Sequence, residues 1–233
     1  MKVNRVRQNV FPVAAAMIWG TSFVAQSVSA DYVEAFTFNT ARSIVAFLFL
    51  LVLCVVLRRM RSHGHDAVAK GVPQRKCDLL IGGICCGVAL TVASNLQQKG
   101  LETTTSGKAG FITALYIVIV PIVGIFLKKK APKAIWISVV LAVAGLYCLC
   151  ITENLAITIG DFYVLLCSFC YAAHILVIDH FTQKVDGVEL SCVQFLVCAL
   201  LSAVGMIVME SPSWEAVMFC LGPILYVGVF SSG

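Results

Sequence analysis

Charged residues are scarce in this sequence. Only 12% of its 233 residues are Asp, Glu, Lys or Arg, whereas a soluble domain carries about 25%. Hydrophobic residues make up 60%, and the mean hydropathy is +0.93. A soluble protein of this length exposes a large share of its residues to water and cannot bury so much apolar side chain. The scarcity of charge therefore excludes a soluble domain and indicates an integral membrane protein.

A nucleotide-binding motif is also missing. A P-loop needs G-x-x-x-x-G-K-[ST], but Gly107-Lys108 is followed by Ala109, and Gly100 lies too far upstream. This chain is therefore not expected to drive transport with ATP. The uncharged run Ala109–Leu127 instead has the length needed to cross about 30 Å of hydrocarbon. The net charge of +5 comes from short basic blocks between apolar runs, which does not indicate nucleic-acid binding.

The cysteines give no sign of a disulfide framework. There are eleven of them, an odd number, scattered along the apolar segments, so we interpret them as small apolar residues in a reduced environment. Cys167, Cys170 and His174 share one helical face and could hold a transition metal. A fourth ligand is not evident, so neither a metal nor another cofactor is predicted.

Eight apolar segments are predicted to be membrane-spanning helices, which gives an all-α polytopic bundle. Their approximate bounds are 9–29, 33–57, 79–97, 109–127, 134–151, 161–179, 189–208 and 215–232. No charge-free run alternates apolar and polar residues over many positions, so helices are favoured over a β-barrel. A cleaved signal peptide ending at "SVSA" is an alternative interpretation of the first segment, but Trp19 and Gln26 are unusual in such a segment.

Loop charges predict the orientation. With the N-terminus in the cytoplasm, fourteen of the seventeen Lys and Arg residues fall inside, only Lys99 and Lys108 fall outside, and Arg42 lies within the second span. This is a strong positive-inside asymmetry. It predicts a multi-pass protein of the cell (inner) membrane, with a cytoplasmic N-terminus.

The polar positions repeat along the chain. An offset of 152 residues aligns Trp19 with Tyr171, Ser22 with His174, Asn39 with Ser191 and Arg42 with Gln194, and an offset of 141 aligns Gly87-Val88 with Gly228-Val229. A five-span unit starts on opposite sides of the membrane in its two copies. The pattern therefore predicts two inverted five-helix repeats, 1–152 and 153–233, typical of secondary transporters. The second repeat holds about three spans and stops within an apolar segment, so we expect the natural protein to continue past Gly233.

Four stretches carry a family resemblance. "AMIWGTSFVAQ", "FNTARSIVAFL", "GKAGFITALYIVIVPI" and "GDFYVLLCSFCYAAHILVID" resemble the EamA-type transporters of the drug/metabolite transporter superfamily. The resemblance covers essentially the whole chain. It implies ten helices in two inverted halves, and export or uptake of small metabolites such as amino acids or drug-like compounds.

Several polar or aromatic side chains within the spans are candidates for a substrate cavity. They are Trp19, Ser22, Gln26, Asn39, Arg42, Tyr116, Tyr171, His174 and Gln194. Arg42 is predicted near the midplane, where an unpaired arginine costs at least about 2.5–3.5 kcal/mol. It would attract a carboxylate or another anion, or else bind backbone carbonyls as a structural residue. Tyr171 and His174 are predicted to face Trp19, Ser22 and Gln26 across the cavity, although interhelical hydrogen bonding alone explains such polarity equally well.

His174 is the other titratable group predicted near the midplane. Histidine changes charge near neutral pH, so His174 could couple transport to protons, or could simply pack. No Asp or Glu lies at mid-span.

Three further features have structural interpretations. The third span carries Ser94, Asn95, Gln97 and Gln98 at its outer end, which we interpret as an interfacial cap or gate. Pro121 removes a helical hydrogen bond and predicts a kink that could aid gating. Lys108 is expected to lie where the fourth span leaves the outer headgroups.

The leading hypothesis is a transporter and not an enzyme. Its expected partners are a small-molecule substrate and the lipid bilayer, with a homodimer possible. One alternative is an intramembrane enzyme or lipid-modifying protein, for which the nearest titratable cluster is His174, Asp179 and His180. The other is a non-transporting membrane fragment.

The orientation makes a testable prediction. Asn154→Cys should react with a membrane-impermeant maleimide added to intact cells, because 153–160 is predicted to be external. Ser62→Cys should react only after the membrane is permeabilised. The reverse labelling pattern would contradict both the orientation and the inverted repeat.

Overall fold

The computed structural model is built from helices. It describes residues 5–63, 76–126, 133–152 and 158–232, and no strand occurs among them. The helices are α1 (Arg5–Ala30), α2 (Ala35–His63), α3 (Lys76–Leu101), α4 (Ser106–Thr113), α5 (Tyr116–Phe126), α6 (Lys133–Thr152), α7 (Ile159–Thr182), α8 (Gly187–Met209), α9 (Trp214–Phe219) and α10 (Leu221–Tyr226). A wider π-helical segment, Val227–Ser232, follows α10. Much of the sequence used to predict the orientation, including 64–75 and 153–157, lies outside the described residues.

Six stretches are long and apolar enough to cross a membrane. They are Val13–Ala30, Ala35–Met60, Lys76–Leu101, Ser106–Ile125, Ile159–Thr182 and Gly187–Met209. Outward-facing side chains such as Val52 and Val204 are apolar and exposed, as expected of helices in lipid. The prediction of an all-α, multi-pass membrane protein is confirmed. The predicted count of eight spans is not confirmed. Six of the predicted segments correspond to these stretches of the described residues, but α6, which contains 134–151, is not among them, and 215–232 is divided among shorter helical pieces.

The fourth predicted span contains a break, but not at Pro121. The chain turns at Ala114 and Leu115, between α4 and α5, through short-range hydrogen bonds such as Ile117 N–H to the Ala114 carbonyl (3.0 Å). Pro121 itself lies inside α5. A proline ring clashes with the carbonyl four residues earlier and cannot donate to it, so its distortion falls upstream. Tyr116 is thereby placed at the first position of α5.

α2 and α8 pack antiparallel and are tied at both ends. At one end Arg58 Nη2 lies 2.7 Å from Glu189 Oε1. At the other end the Glu210 carboxylate accepts hydrogen bonds from the backbone N–H groups of Phe36 and Thr37 and from the Thr37 hydroxyl, each 2.7 Å long. These N–H groups have no partner within the first turn of α2, so the carboxylate caps that helix. We call these ends the Arg58 end and the Glu210 end.

Two glycines allow close helix contacts of the same kind. A Cβ on Gly87 of α3 would lie 2.6 Å from Val197 Cβ and 2.9 Å from the Gln194 carbonyl oxygen of α8. A Cβ on Gly228 would lie 2.8 Å from Val45 Cβ and 3.0 Å from the Arg42 carbonyl oxygen of α2. Both helices can approach this closely only because glycine carries no side chain.

A buried ion pair joins α4 to α7 at the Glu210 end. Lys108 Nζ lies 2.6 Å from Asp161 Oδ2, and the two side chains are only 5% and 7% exposed. Asp161 also accepts hydrogen bonds from the Thr104 hydroxyl and the Thr158 N–H, and the Thr158 hydroxyl caps α7 in return. The predicted level of Lys108, where the fourth span leaves the outer headgroups, stays a prediction, but its side chain is paired inside the protein. Its ammonium is buried against the first turn of α7, where a carboxylate is favoured by the helix dipole.

The ion pair makes a prediction about stability. Lys108→Met and Asp161→Asn should each lower the free energy of unfolding by about 3–5 kcal/mol, because each leaves one buried group without its partner. The double variant should lose much less than the sum of the two. Denaturant titration of the detergent-solubilised protein, followed by tryptophan fluorescence, measures both.

The pair Lys99–Glu102 is a matched control, because its side chains are 55% and 27% exposed. Lys99→Met and Glu102→Gln should each change the free energy of unfolding by no more than about 1 kcal/mol. Equal losses at the two pairs would contradict a structural role for the buried one.

Candidate functional site

Buried polar side chains from six helices meet in the interior of the bundle. They come from α1–α4, α7 and α8, and we refer to them as the polar cluster: Ser22, Gln26, Asn39, Arg42, Ser94, Asn95, Gln97, Gln98, Thr113, Tyr171, His174, Gln194 and Ser202. All are buried except Tyr171, which is partly exposed. Polar groups within hydrocarbon are stable only with partners on neighbouring helices or around a watery cavity.

Arg42 is the cation of this cluster. Its side chain is 6% exposed; its Nη1 donates to Gln26 Oε1 at 3.3 Å, and its guanidinium lies 6.0 Å from the centre of the Phe38 ring. It also faces the Tyr171 hydroxyl. Arg42 lies seven residues after the start of α2, about 10 Å along the helix. It is therefore nearer the Glu210 end than the predicted midplane position.

α2, α3 and α8 are joined by an asparagine pair. The Asn39 amide donates to the Ser94 carbonyl (3.1 Å) and to Asn95 Oδ1 (3.0 Å). The Asn95 amide in turn donates to the Ser202 hydroxyl (3.1 Å) and to the Thr91 carbonyl (2.8 Å). These contacts fix the register of α3 between its two neighbours.

The two glutamines of α3 reach other helices. Gln98 Nε2 donates to the Gln26 carbonyl at 3.1 Å. Gln97 Nε2 donates to the Thr113 hydroxyl at 3.2 Å, and Gln97 Oε1 accepts a hydrogen bond from Tyr171 at 3.3 Å. Gln97 and Gln98 are buried, so the interpretation of this segment as an interfacial cap is wrong. The signal that reveals their role is the spacing of four polar residues within five positions of an otherwise apolar helix.

The aromatic and histidine side chains form the part of the cluster nearer the Arg58 end. His174 Nε2 lies 3.1 Å from Gln194 Oε1, and the Tyr171 ring centre lies 6.4 Å from that of His174. Tyr116 adds its ring 6.5 Å from Tyr171, tilted by 53°. Gln194 is seven residues into α8, as Arg42 is into α2. The two therefore lie at opposite levels of an antiparallel pair.

The side chains predicted to face each other across the cavity are only partly brought together, those of α1 (Trp19, Ser22 and Gln26) and those of α7 (Tyr171 and His174). Ser22 and Gln26 are buried, but Trp19 is 48% exposed and lies outside the cluster. Ser22 donates to Ser231 (3.0 Å), and the Gln26 amide lies 3.4 Å from the Ser22 hydroxyl. Arg42 connects the α1 residues to the α7 residues, because it donates a hydrogen bond to Gln26 and lies close to Tyr171.

The metal and enzyme alternatives find little support in the geometry. Within the described ranges no group of three or more His, Cys, Asp or Glu residues is placed to hold a metal ion. The predicted titratable cluster of the enzyme alternative is divided, because His174 lies against Gln194 whereas His180 lies 2.9 Å from Lys184 Nζ.

Comparisons with known proteins agree with the helical bundle. The model of the EamA-like transporter family matches residues 9–151, which extend from α1 into α6. A protein from Archaeoglobus fulgidus, named "Uncharacterized transporter", is 29% identical over 202 residues. The matched region makes up 86% of this chain and 58% of that relative, so the chain spans less than two thirds of the relative's length. No solved structure matches. Because the family model covers more than half of the chain, the protein belongs to the EamA-like transporter family.

Proposed function

We propose that the protein is a secondary transporter of small metabolites, such as amino acids or drug-like compounds, working by alternating access between two inverted halves. The observation that carries this proposal is that both halves of the chain contribute side chains to the polar cluster. Its members come from α1–α4 in the first half and from α7 and α8 in the second. Buried polar groups at such an interface are typical of a substrate pathway.

The contacts between the halves support the inverted repeat. Thr37 and Glu189 are 152 residues apart, as are Arg58 and Glu210. The repeat therefore relates the Arg58–Glu189 contact to the Glu210–Thr37 contact at the other end of the same helix pair. An internal two-fold axis in the membrane plane, passing between α2 and α8, would exchange the two.

The sequence offsets of the repeat also relate the two glycine contacts to each other. The 152-residue offset takes Arg42 to Gln194 and Val45 to Val197, and the 141-residue offset takes Gly87 to Gly228. Gly87 packs on Val197 and the Gln194 carbonyl, and Gly228 packs on Val45 and the Arg42 carbonyl. Three aligned pairs thus make equivalent contacts: the glycines and the valines are identical, and the differing pair, Arg42 and Gln194, contributes backbone carbonyls.

The geometry suggests how access could alternate. Arg42 and Gln194 lie at opposite levels of the α2–α8 pair, so rocking of one half against the other would open the cluster first toward one end and then toward the other. The two end contacts would be broken in turn. We place the protein in the cell (inner) membrane with its N-terminus in the cytoplasm, on the basis of the loop charges.

The glycine contacts make a prediction about stability. Gly87→Ala and Gly228→Ala should each destabilise the full-length protein by about 1–3 kcal/mol, because the added Cβ meets rigid valine and backbone atoms. Gly20→Ala and Gly222→Ala are matched controls, since nothing lies within 4 Å of the added Cβ. They should be neutral or stabilising by up to about 1 kcal/mol, through helix propensity. Thermal unfolding in detergent measures all four, and a loss at only one of Gly87 and Gly228 would contradict equivalent roles.

Transport itself is tested in cells. Expression of the full-length protein should change the intracellular and extracellular levels of specific small metabolites, measured by mass spectrometry. Arg42→Gln should abolish that change while leaving membrane abundance near normal, because it removes the only cation that the described part of the cluster contains. Arg59→Gln is the control, as it removes an exposed arginine from the same helix and leaves the Arg58–Glu189 contact in place. Loss of the folded Arg42→Gln protein would instead favour a structural role for Arg42.

A further inference from the structure

We infer that the Arg42 region of the polar cluster binds a small organic monocarboxylate, with its single carboxylate on Arg42 and a hydrogen-bond donor of the same molecule on Gln98. The inference rests on the proposed function and names the substrate class for it. The donor would be a hydroxyl or an ammonium on the carbon next to the carboxylate.

The first step is the charge of the cluster. Arg42 is almost fully buried, and the side chains around its guanidinium include the neutral Gln26, Phe38 and Tyr171. Among the residues that the structure describes, every carboxylate lies near a helix end or between helices. Asp161, Glu189 and Glu210, for example, are engaged with Lys108, Arg58 and the start of α2. A buried cation without a counter-charge is strongly disfavoured, and a bound carboxylate would supply that charge.

The second step is the set of open hydrogen-bonding atoms. Arg42 Nε and Gln98 Oε1 are both buried and have no hydrogen-bond partner among the described residues. Gln26 joins the two side chains, because its Oε1 accepts from Arg42 and its carbonyl accepts from Gln98. One donor and one acceptor are thus left open on either side of the same residue. A carboxylate oxygen fits the first, and an adjacent O–H or N–H group fits the second.

The third step concerns the rest of the molecule. The described part of the cluster offers no second cation, which disfavours dicarboxylates and phosphate esters. The rings of Tyr116 and Tyr171 lie 6.5 Å apart, Tyr171 is close to Arg42, and the two rings provide an apolar, polarisable surface. An uncharged hydrocarbon group next to the carboxylate carbon would pack there.

The experiment measures binding and not transport. The full-length protein in nanodiscs is titrated calorimetrically with compounds of one skeleton: isocaproate, its 2-hydroxy derivative, L-leucine and L-leucinamide. The same series is repeated on the benzyl skeleton. We expect the two acids with a donor to bind most tightly, isocaproate to bind more weakly, and the amide to bind at least tenfold more weakly than leucine.

Variants assign the two contacts. Arg42→Gln should weaken binding of every acid by about tenfold to a hundredfold, as expected for a lost charged hydrogen bond, and Arg42→Lys should retain part of it. Gln98→Leu should weaken only the hydroxy and amino acids, bringing them to the affinity of isocaproate. Arg59→Gln, which removes an exposed arginine of the same helix, is the matched control and should leave all affinities unchanged.

The outcomes separate this inference from the proposed function. Equal binding of leucine and leucinamide, binding of acids that Arg42→Gln leaves intact, or no binding of any acid would overturn the monocarboxylate site. If Arg42→Gln does not fold, the comparison of acids with amides on the wild-type protein decides. Export of neutral metabolites without carboxylate binding would leave the transporter standing and refute only this inference. Carboxylate binding without any transport would support this inference and refute the proposed transport function.

Discussion

The structure depends on one constraint: a polar group inside the hydrocarbon of a bilayer needs a partner within the protein. The backbone meets this constraint by forming helices, and the side chains meet it by reaching across helices. Asn39, Asn95 and Ser202 connect three helices in this way, and Gln98, Gln26 and Arg42 connect another three. Because unsatisfied partners cost free energy in hydrocarbon, these bonds specify which helices are neighbours more strongly than apolar contacts can. Lipid solvates leucine as well as another helix does.

Small residues on α3 make these polar contacts possible. Gly83 and Gly87 let α3 approach α8 at van der Waals distance, and Gly100 lies against Gly160 of α7. Close approach brings the Ser94 backbone carbonyl and the Asn95 side chain within hydrogen-bonding range of α2, and the Asn95 side chain within range of α8. A helix with larger residues at these positions would hold its neighbours too far apart for the network to form. Packing and polarity are therefore coupled along one helix.

The sequence predicted the parts of the fold that local patterns control. Span length and charge scarcity predicted six of the membrane helices within a few residues, and the motifs predicted the family. It did not predict which polar residues are buried together, since the partners of Gln97 and Gln98 depend on how three helices are arranged in space. Lys108 shows the limit most clearly. A lysine near a span end is usually solvated by headgroups, and only the capping of α7 by Thr158 and Asp161 creates a buried partner for it. Trp19 shows a second limit. Helical periodicity places it on one face with Ser22 and Gln26, but this face is wider than the surface of α1 that contacts other helices, so Trp19 stays exposed.

In the proposed inverted repeat, Arg42 and Gln194 are equivalent positions that carry different chemistry on a nearly symmetric frame. The frame is matched at both helix ends and at both glycine contacts, yet the charge lies in one half only. A substrate held by Arg42 would therefore be bound closer to the Glu210 end, whereas the His174–Gln194 pair near the other end offers hydrogen bonds without a permanent charge. In the proposed alternating cycle this asymmetry would make the two access states unequal in their affinity for an anion, even if their helix packing were equivalent. The net direction of transport would still follow the electrochemical gradients of the substrate and of any coupled ion. The position of the charge would therefore affect how tightly the anion is held in each state, and not which way it moves.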